Sequence, residues 1–219
     1  MTVKRTLFMV VLLALAGLAI SLVAFQNLPE MVPSHWNMAG EVDDTMPRSI
    51  IAIMMPGLIL FLGLLLLYIP NIDPLRANVD RFRNVYDWFI VGISAFLLYL
   101  HVLIILAGLG AEFNLTYLLI PAFSLGMFGI GLVLERTKPN WFIGIRTPWT
   151  LSSPTVWDKT HRLASLLFKL SGGITFISFL FSPQAAFVSM TGSILIAALA
   201  SVIYSYFAYR QEKLNESDE

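Results

Sequence analysis

The 219-residue sequence predicts an all-α, polytopic membrane protein that crosses the bilayer six times and keeps both termini in the cytoplasm. Three observations support this prediction: the composition, six long apolar stretches and the distribution of Lys and Arg. Hydrophobic residues make up 57% of the chain and charged residues only 13%, whereas soluble chains contain roughly 45–50% and about 25%. The mean hydropathy of +0.76 agrees with a chain that lies mostly in lipid.

Six stretches are long enough to cross a bilayer as helices, because a hydrocarbon core of about 30 Å needs roughly 20 apolar residues. These stretches are Leu7–Phe25, Ser49–Ile69, Trp88–Gly110, Leu115–Leu134, Leu163–Phe181 and Phe187–Ala208. The two longest connections between them are residues 26–48 and 135–162. No segment is left over for a separate soluble domain.

The predicted helices and loops divide the chain into three successive regions. Residues 1–70 hold the first two helices and the first long loop, and residues 71–134 hold helices three and four. Residues 135–219 hold the second long loop, helices five and six and a short tail. We expect this order of regions to organise the protein.

The positions of Lys and Arg predict which loops face the cytoplasm, where cations accumulate. Twelve of the fourteen lie in the N-terminal segment, in the loops 71–87 and 135–162, or in the C-terminal tail, while Arg48 occupies the opposite side. We therefore expect loop 26–48 outside and loop 135–162 inside. The first helix resembles a signal peptide because Lys4 and Arg5 precede it, but its apolar run is longer than usual and no Ala-x-Ala site follows. We expect it to be retained.

Several function classes are disfavoured by what the sequence lacks. The net charge is zero, so no basic field predicts direct nucleic-acid binding. Cysteine is absent, which excludes disulfides, Cys-ligated zinc and iron–sulfur clusters. No hydrolase, metalloprotease or phosphate-loop motif occurs. We predict no catalytic residues, no cofactor, no metal and no enzymatic activity.

The outer loop carries the first group of candidate functional residues: His35, Trp36, Asn37 and Asp43. Prolines prevent a continuous helix there, so we expect an extended loop with a turn over residues 37–40 and Trp36 at the headgroup level. Three interpretations remain open. His35 with Asp43 or Asp44 ligates a divalent metal, the acidic cluster attracts a cationic peptide, or the polar side chains only satisfy the loop's own backbone.

The second long loop is rich in tryptophan, with Trp141, Trp149 and Trp157 spaced eight residues apart. This pattern predicts a loop that lies at the membrane interface. Ser153 before Pro154 predicts a helix start, so the residues from 144 to 150 should form an irregular, partly buried segment. Arg146 has apolar neighbours and should bind a carboxylate of Glu135 or Asp158, a lipid headgroup or backbone carbonyls. It is either a structural clamp or a group that recognises a partner or an anionic ligand.

Polar and small residues inside the helices support further predictions. Ser193, Ala197, Ser201 and Ser205 form a narrow stripe that predicts a helix contact. We expect His101 to be a neutral side chain bonded to a backbone carbonyl or a hydroxyl on another helix, with a proton relay as the alternative. Lys169 is expected to extend its ammonium group to the cytoplasmic interface.

The run from Gly144 to Leu151 reads Gly-Ile-Arg-Thr-Pro-Trp-Thr-Leu, and Val156, Trp157 and a polar turn through Arg162 follow it. This run resembles the SdpI family of bacterial multi-pass membrane proteins. The outer loop, with Leu28-Pro-Glu and Val32-Pro-x-His-Trp-Asn, is similar to the domain of unknown function that commonly precedes the SdpI region. Together the two motifs cover about a fifth of the chain.

The resemblance implies a role in immunity and signal transduction at the cell membrane. The family's founding member protects its producer against a secreted toxic peptide and draws a small repressor to the membrane, so the implied partners are the bilayer, a toxin outside and a repressor inside. The candidate residues in this region are Asn140, Gly144, Arg146, Thr147, Pro148, Trp149, Thr150, Trp157 and His161. Two alternatives remain: a small-molecule or peptide transporter or exporter with His101 and Lys169 along a polar pathway, and a membrane enzyme that uses the His35 cluster.

Overall fold

The computed structural model describes residues 1–37 and 40–217. Its elements, in chain order, are α1 (Val3–Ala24), β1 (Met31–Trp36), β2 (Val42–Pro47), α2 (Arg48–Ile72), α3 (Arg76–Asp80), α4 (Arg83–Gly108), α5 (Leu115–Arg136), α6 (Pro148–Ser152), α7 (Pro154–Phe179) and α8 (Pro183–Ser217). Within these residues six helices, namely α1, α2, α4, α5, α7 and α8, are long and apolar enough to cross a membrane. The prediction of six membrane helices is confirmed.

The outer loop adds one small element to this mostly helical fold, because its residues form a two-stranded antiparallel sheet. Strand β1 pairs with β2, with His35 opposite Asp44 and Trp36 opposite Val42. Prolines exclude a helix here, but an edge strand tolerates them because its outward N–H groups need no partner. The predicted turn lies partly outside the described residues, at Met38 and Ala39. Its two ends are joined, since Gly40 N–H donates to the Asn37 carbonyl at 2.9 Å.

Helix α1 shows the distribution of side chains that lipid favours. Its buried face consists of small, polar and slender residues: Thr6, Val10, Ala14, Gly17, Ser21 and Ala24. Its outward face carries large apolar side chains, with Leu22 68% and Val23 81% exposed. Such a surface would be costly in water but suits a hydrocarbon solvent, where small residues allow close helix packing.

One compact unit comprises Met1–Tyr68 and Ile90–Leu119. A small apolar core joins strand β1 to the helices α1, α2 and α4. It contains Ala24, Leu28, Val32, Ile51 and Ile105. Arg48, at the first position of α2, donates to the Phe25 and Leu28 carbonyls at 3.2 and 2.8 Å. These contacts satisfy carbonyl groups beyond the last turn of α1 and attach the sheet to the helix ends.

The other unit comprises Ile69–Phe89 and Ile120–Glu219. Helices α7 and α8 pack against each other, and Ala197, Ser201 and Ser205 are buried on α8 while Ser193 is half-buried. The predicted small-residue contact face is confirmed. Helix α7 also approaches α5 closely, since a Cβ atom at Gly172 would lie 2.6 Å from the Ser124 carbonyl oxygen.

Two short helices were not predicted from the sequence. Helix α3 lies in the 71–87 loop, and α6 occupies the second half of the segment that we expected to be irregular. Thr147 caps α6 and Pro148 stands at its first position, where the absence of an N–H costs nothing. The helix start at Ser153 is confirmed, because the Ser153 hydroxyl accepts from Val156 N–H at 3.2 Å.

The orientation of the two faces stays a prediction that cysteine labelling tests directly, because the natural chain contains no cysteine. We expect Thr45→Cys, on exposed β2, to react with a membrane-impermeant maleimide in intact cells. Thr155→Cys, exposed at the start of α7, should react only after permeabilisation. The parent chain is the background control, and the opposite labelling pattern would invert both faces.

Candidate functional site

The motif loop, which we define as residues 137–153 between α5 and α7, is organised around the side chain of Asn140. This side chain is fully buried. Its Oδ1 atom accepts from the N–H groups of Phe142 and Ile143 at 2.9 and 2.6 Å. Its Nδ2 atom donates to the carbonyls of Lys138 and Ile143 at 2.8 and 2.9 Å. One amide therefore satisfies four backbone groups that no helix or sheet would satisfy.

Gly144 and His161 form the next contact along the motif loop. Gly144 has φ +117°, a backbone conformation that L side chains rarely adopt, and a Cβ atom there would lie 2.4 Å from His161 Nε2. The absence of a side chain lets the loop pass directly over the imidazole. The next residue, Ile145, then donates its N–H to Nε2 at 2.9 Å.

The bonding partners of His161 determine its protonation. A backbone N–H only donates, so Nε2 must be the unprotonated acceptor. The Trp157 carbonyl, 2.8 Å from Nδ1, only accepts, so Nδ1 carries the proton. The ring also stacks on Trp157, with centroids 4.1 Å apart. His161 is thus a neutral structural group that joins α7 to the motif loop.

Trp157 lies inside the protein, whereas the interface position expected for the tryptophan-rich loop stays a prediction. Its side chain is fully buried, and its Nε1–H donates to the Thr137 carbonyl at 3.2 Å. Trp141, by contrast, is 51% exposed, and Trp149 is half-buried with its ring 5.2 Å from that of Tyr206. The three regularly spaced tryptophans therefore have different surroundings.

Thr147 and Thr150 connect the motif loop to α8. Their hydroxyls and backbone N–H groups cap each other across the first turn of α6, at 2.9 and 3.2 Å. Thr147 Oγ1 also lies 3.0 Å from the Ser205 hydroxyl on α8, and Thr150 donates to the Ile145 carbonyl at 2.8 Å. These threonines are internal links and do not form an open surface.

Arg146 lies on the surface of the motif loop. Its guanidinium donates to the Trp141 carbonyl, and the side chain is exposed. The expected surrounding of apolar bulk is therefore wrong, although backbone carbonyls were among the expected partners. The two expected carboxylates bind other cations instead: Glu135 accepts from Lys169 at 2.6 Å and Asp158 from Lys138 at 3.2 Å.

Two residues of the 71–87 loop also hold the motif loop, and sequence analysis did not identify them. Asp73 is buried and accepts from the N–H groups of Leu75 and Trp141 at 2.7 and 3.0 Å. Asn78 donates to the Pro139 carbonyl at 2.8 Å. Asp73 is 68 residues from Trp141 in sequence, and Asn78 is 61 residues from Pro139. Side-chain bonds over such separations leave no local sequence signal.

On the outer sheet, His35 is in direct contact with Asp43, one of the two carboxylates that the sequence suggested as its co-ligands for a metal. Nδ1 and Oδ1 are 2.6 Å apart, and both side chains are exposed. Asp44 accepts from Thr45 N–H at 2.7 Å, and Asn37 binds Glu41 at 3.1 Å. In the described part of the chain, no three His, Asp or Glu side chains are grouped as they would be around a metal ion.

Two ionisable groups within the helices, His101 and Lys169, are bonded to nearby residues. His101 is fully buried, with Nε2 2.9 Å from the Ser21 hydroxyl and 3.1 Å from the Gly17 carbonyl. The expectation of a histidine bonded to a carbonyl or hydroxyl on another helix is confirmed. Lys169 pairs its ammonium group with Glu135 at 2.6 Å, near the end of α5 that is predicted to lie at the cytoplasmic interface, and its extension to that interface stays a prediction.

Comparison with known proteins found two family matches and a relative that spans nearly the whole chain. Residues 136–205 match the model of the SdpI/YfhL protein family, and residues 12–60 match a domain of unknown function, DUF1648. Immunity protein SdpI of Bacillus subtilis (strain 168) is 29% identical over 219 residues, covering 98% of this chain and 99% of that protein. The chain is therefore similar to the SdpI/YfhL family over residues 136–205 and to Immunity protein SdpI over nearly its full length.

The family match includes the motif loop, α7 and most of α8, whereas the DUF1648 match includes most of α1, the sheet and the first part of α2. The chain is a multi-pass membrane protein, as the six apolar helices and its SdpI relative both indicate. No solved structure matches it.

The Asn140 contacts predict a large loss of stability on truncation. In Asn140→Ala two N–H groups and two carbonyls lose their partner, and each buried unsatisfied group costs roughly 1–3 kcal/mol. We expect the thermal midpoint of the detergent-purified protein to fall clearly. Asn71→Ala, at an exposed position, is the matched control. Equal midpoints for both variants would show that Asn140 does not hold the motif loop.

Gly144→Ala should also destabilise the protein, since it combines an unfavourable φ with a clash against His161. Strained backbone of this kind costs about 1–3 kcal/mol. Gly126→Ala is the control, because no atom lies within 4 Å of a Cβ there and alanine favours a helix. We expect the thermal midpoint to fall for Gly144→Ala and to stay level or rise for Gly126→Ala. A midpoint unchanged by Gly144→Ala would contradict the close approach.

Proposed function

We propose that this protein gives the cell that makes it immunity to a secreted toxic peptide, and that it acts by binding and without catalysis. The observation that carries the proposal is the similarity to Immunity protein SdpI, which extends over 98% of the chain. Similarity of this extent includes both matched regions and all six long helices. The SdpI/YfhL match begins at the motif loop, whose backbone is held by the side chains of Asn140, Thr150 and His161.

The outer sheet is the proposed receiving surface for the peptide. Glu30, Glu41, Asp43 and Asp44 are all exposed on or beside the two strands, while Arg48 below them turns its guanidinium to backbone carbonyls. The surface is therefore strongly acidic. Such a field attracts a cationic peptide and speeds its encounter with the membrane protein.

The motif loop is the proposed cytoplasmic surface that draws a repressor to the membrane. Its buried bonds fix the backbone, and they leave Trp141, Phe142 and Arg146 exposed on the outside. Aromatic side chains and arginine are the groups that contribute most to protein interfaces. We infer that the two surfaces lie on opposite sides of a bilayer whose hydrocarbon core is about 30 Å thick, so toxin binding would have to change the balance between two helix arrangements.

Complementation tests the immunity. A Bacillus subtilis strain that lacks its own SdpI should survive exposure to toxin-secreting cells when it expresses this chain, and should die with an empty vector. Asp44→Asn should weaken protection because it removes one charge from the sheet. Glu112→Gln removes one exposed charge from another segment that is predicted to lie outside and should protect fully. Immunoblots of membranes establish equal protein levels.

The outcomes separate immunity from signalling. Death of the complemented strain at normal membrane levels would reject the immunity proposal. Recruitment of the repressor is measured with a fluorescent reporter on the gene's own promoter in the native host. We expect Arg146→Ala to leave survival intact but to abolish reporter induction by toxin. Unchanged induction would reject the motif loop as the repressor surface while leaving immunity in place.

A further inference from the structure

A cavity of about 800 Å³ opens beside the first half of α7, and its walls come from α5, α7 and α8. This volume is within the range of roughly 300–1,000 Å³ that is usual for ligand sites. The residues that matter for its chemistry are Glu135, Lys159, Arg162, Leu166, Lys169 and Tyr204. The cavity is separate from the buried bonds of the motif loop and from the outer sheet.

The charges around this cavity are unbalanced. Its two acids are already paired: Glu135 accepts from Lys169 at 2.6 Å, and Asp158 accepts from Lys138 at 3.2 Å. Over residues 1–37 and 40–217, neither the Lys159 nor the Arg162 side chain has a hydrogen bond or an ion pair. Two adjacent cations without a counter-charge therefore line a concave site, which favours an anionic ligand.

The side chains along this part of α7 suit a ligand with one charged end and one apolar end. Lys159, Arg162 and Leu166 share one helix face, because they are separated by three and four residues. Over the seven residues from 159 to 166 the helix rises by about 10 Å, so the site changes from cationic to apolar over that distance. Leu166 is 55% exposed and Leu163 is half-buried, and both line the cavity.

We propose that this cavity binds an anionic phospholipid, with Lys159 and Arg162 at its phosphate and Leu163 and Leu166 along the first part of an acyl chain. Arginine matches phosphate with two parallel hydrogen bonds, and lysine adds a point charge. Basic pockets between membrane helices on the cytoplasmic side hold lipid headgroups by this chemistry. Tyr204, on α8, supplies an amphipathic ring at the same level.

The contact between α5 and α7 shapes the floor of the site. A Cβ atom at Gly131 on α5 would lie 2.6 Å from Lys169 Cγ and 2.9 Å from the Ser165 carbonyl oxygen. Helices α5 and α7 therefore approach each other closely beside the Lys169–Glu135 ion pair. In that pair the Glu135 carboxylate neutralises the charge of Lys169. The unpaired charge is left to Lys159 and Arg162, at the end of the cavity nearest the start of α7.

The experiment measures lipid binding to the purified full-length chain by native mass spectrometry and by thermal stabilisation in detergent. The probes are phosphatidylglycerol, phosphatidylcholine and inorganic phosphate. We expect phosphatidylglycerol to bind and stabilise the protein, phosphatidylcholine to bind more weakly, and inorganic phosphate alone to have little effect. Lys159→Gln with Arg162→Gln should weaken phosphatidylglycerol binding by roughly tenfold or more, since each removes a charge-assisted contact.

A matched double variant removes the same amount of charge elsewhere. Arg76→Gln with Arg81→Gln changes two exposed cations of the same unit that do not line the cavity, and it should bind like the parent chain. Arg162→Lys should bind with intermediate strength because it keeps the charge but loses the planar fork. Equal losses in both double variants, or equal binding of the two lipids, would overturn the proposal. If inorganic phosphate stabilised the protein as much as phosphatidylglycerol does, the cavity would be a site for a soluble anion, and the proposal of a lipid ligand would be rejected.

Discussion

The structure depends on one constraint: buried backbone groups outside the helices need hydrogen-bond partners from within the protein. The motif loop meets this requirement with side chains. Asn140 satisfies four backbone groups, His161 accepts from a fifth, and Thr150 donates to a sixth. An irregular segment is thereby held at the ends of α5 and α7 with little of its backbone left unsatisfied.

This constraint divides the residues of the SdpI motif into two groups. Asn140, Gly144, Thr150, Trp157 and His161 face inward and determine the shape of the loop. Arg146, at the centre of the same run, is exposed. A motif of this kind is recognisable because its fold requires most of its residues. Partner recognition therefore has to be sought among the few side chains that the internal bonds leave outside.

Lipid as the solvent also explains how the helices associate. In α1 and α8 small and hydroxyl-bearing residues face inward, and large apolar side chains face outward. Close approach then brings polar groups into contact, as at Thr147 and Ser205. The cavity beside α7 has the complementary property, because Lys159 and Arg162 line it without an ion pair among the described residues, and the proposed anionic lipid would neutralise them.

The sequence alone determined the six membrane helices, the α8 contact stripe and the Ser153 helix start, because apolar length, small-residue spacing and capping are local properties of the chain. It also indicated the family, since the Gly144–Leu151 run is contiguous. Tertiary structure decided which motif residues are internal and which are exposed. Asp73 reaches Trp141, and Gly144 lies over His161, only after distant segments have packed. Contacts between residues far apart in sequence depend on the packing of the whole unit, and no local pattern encodes them.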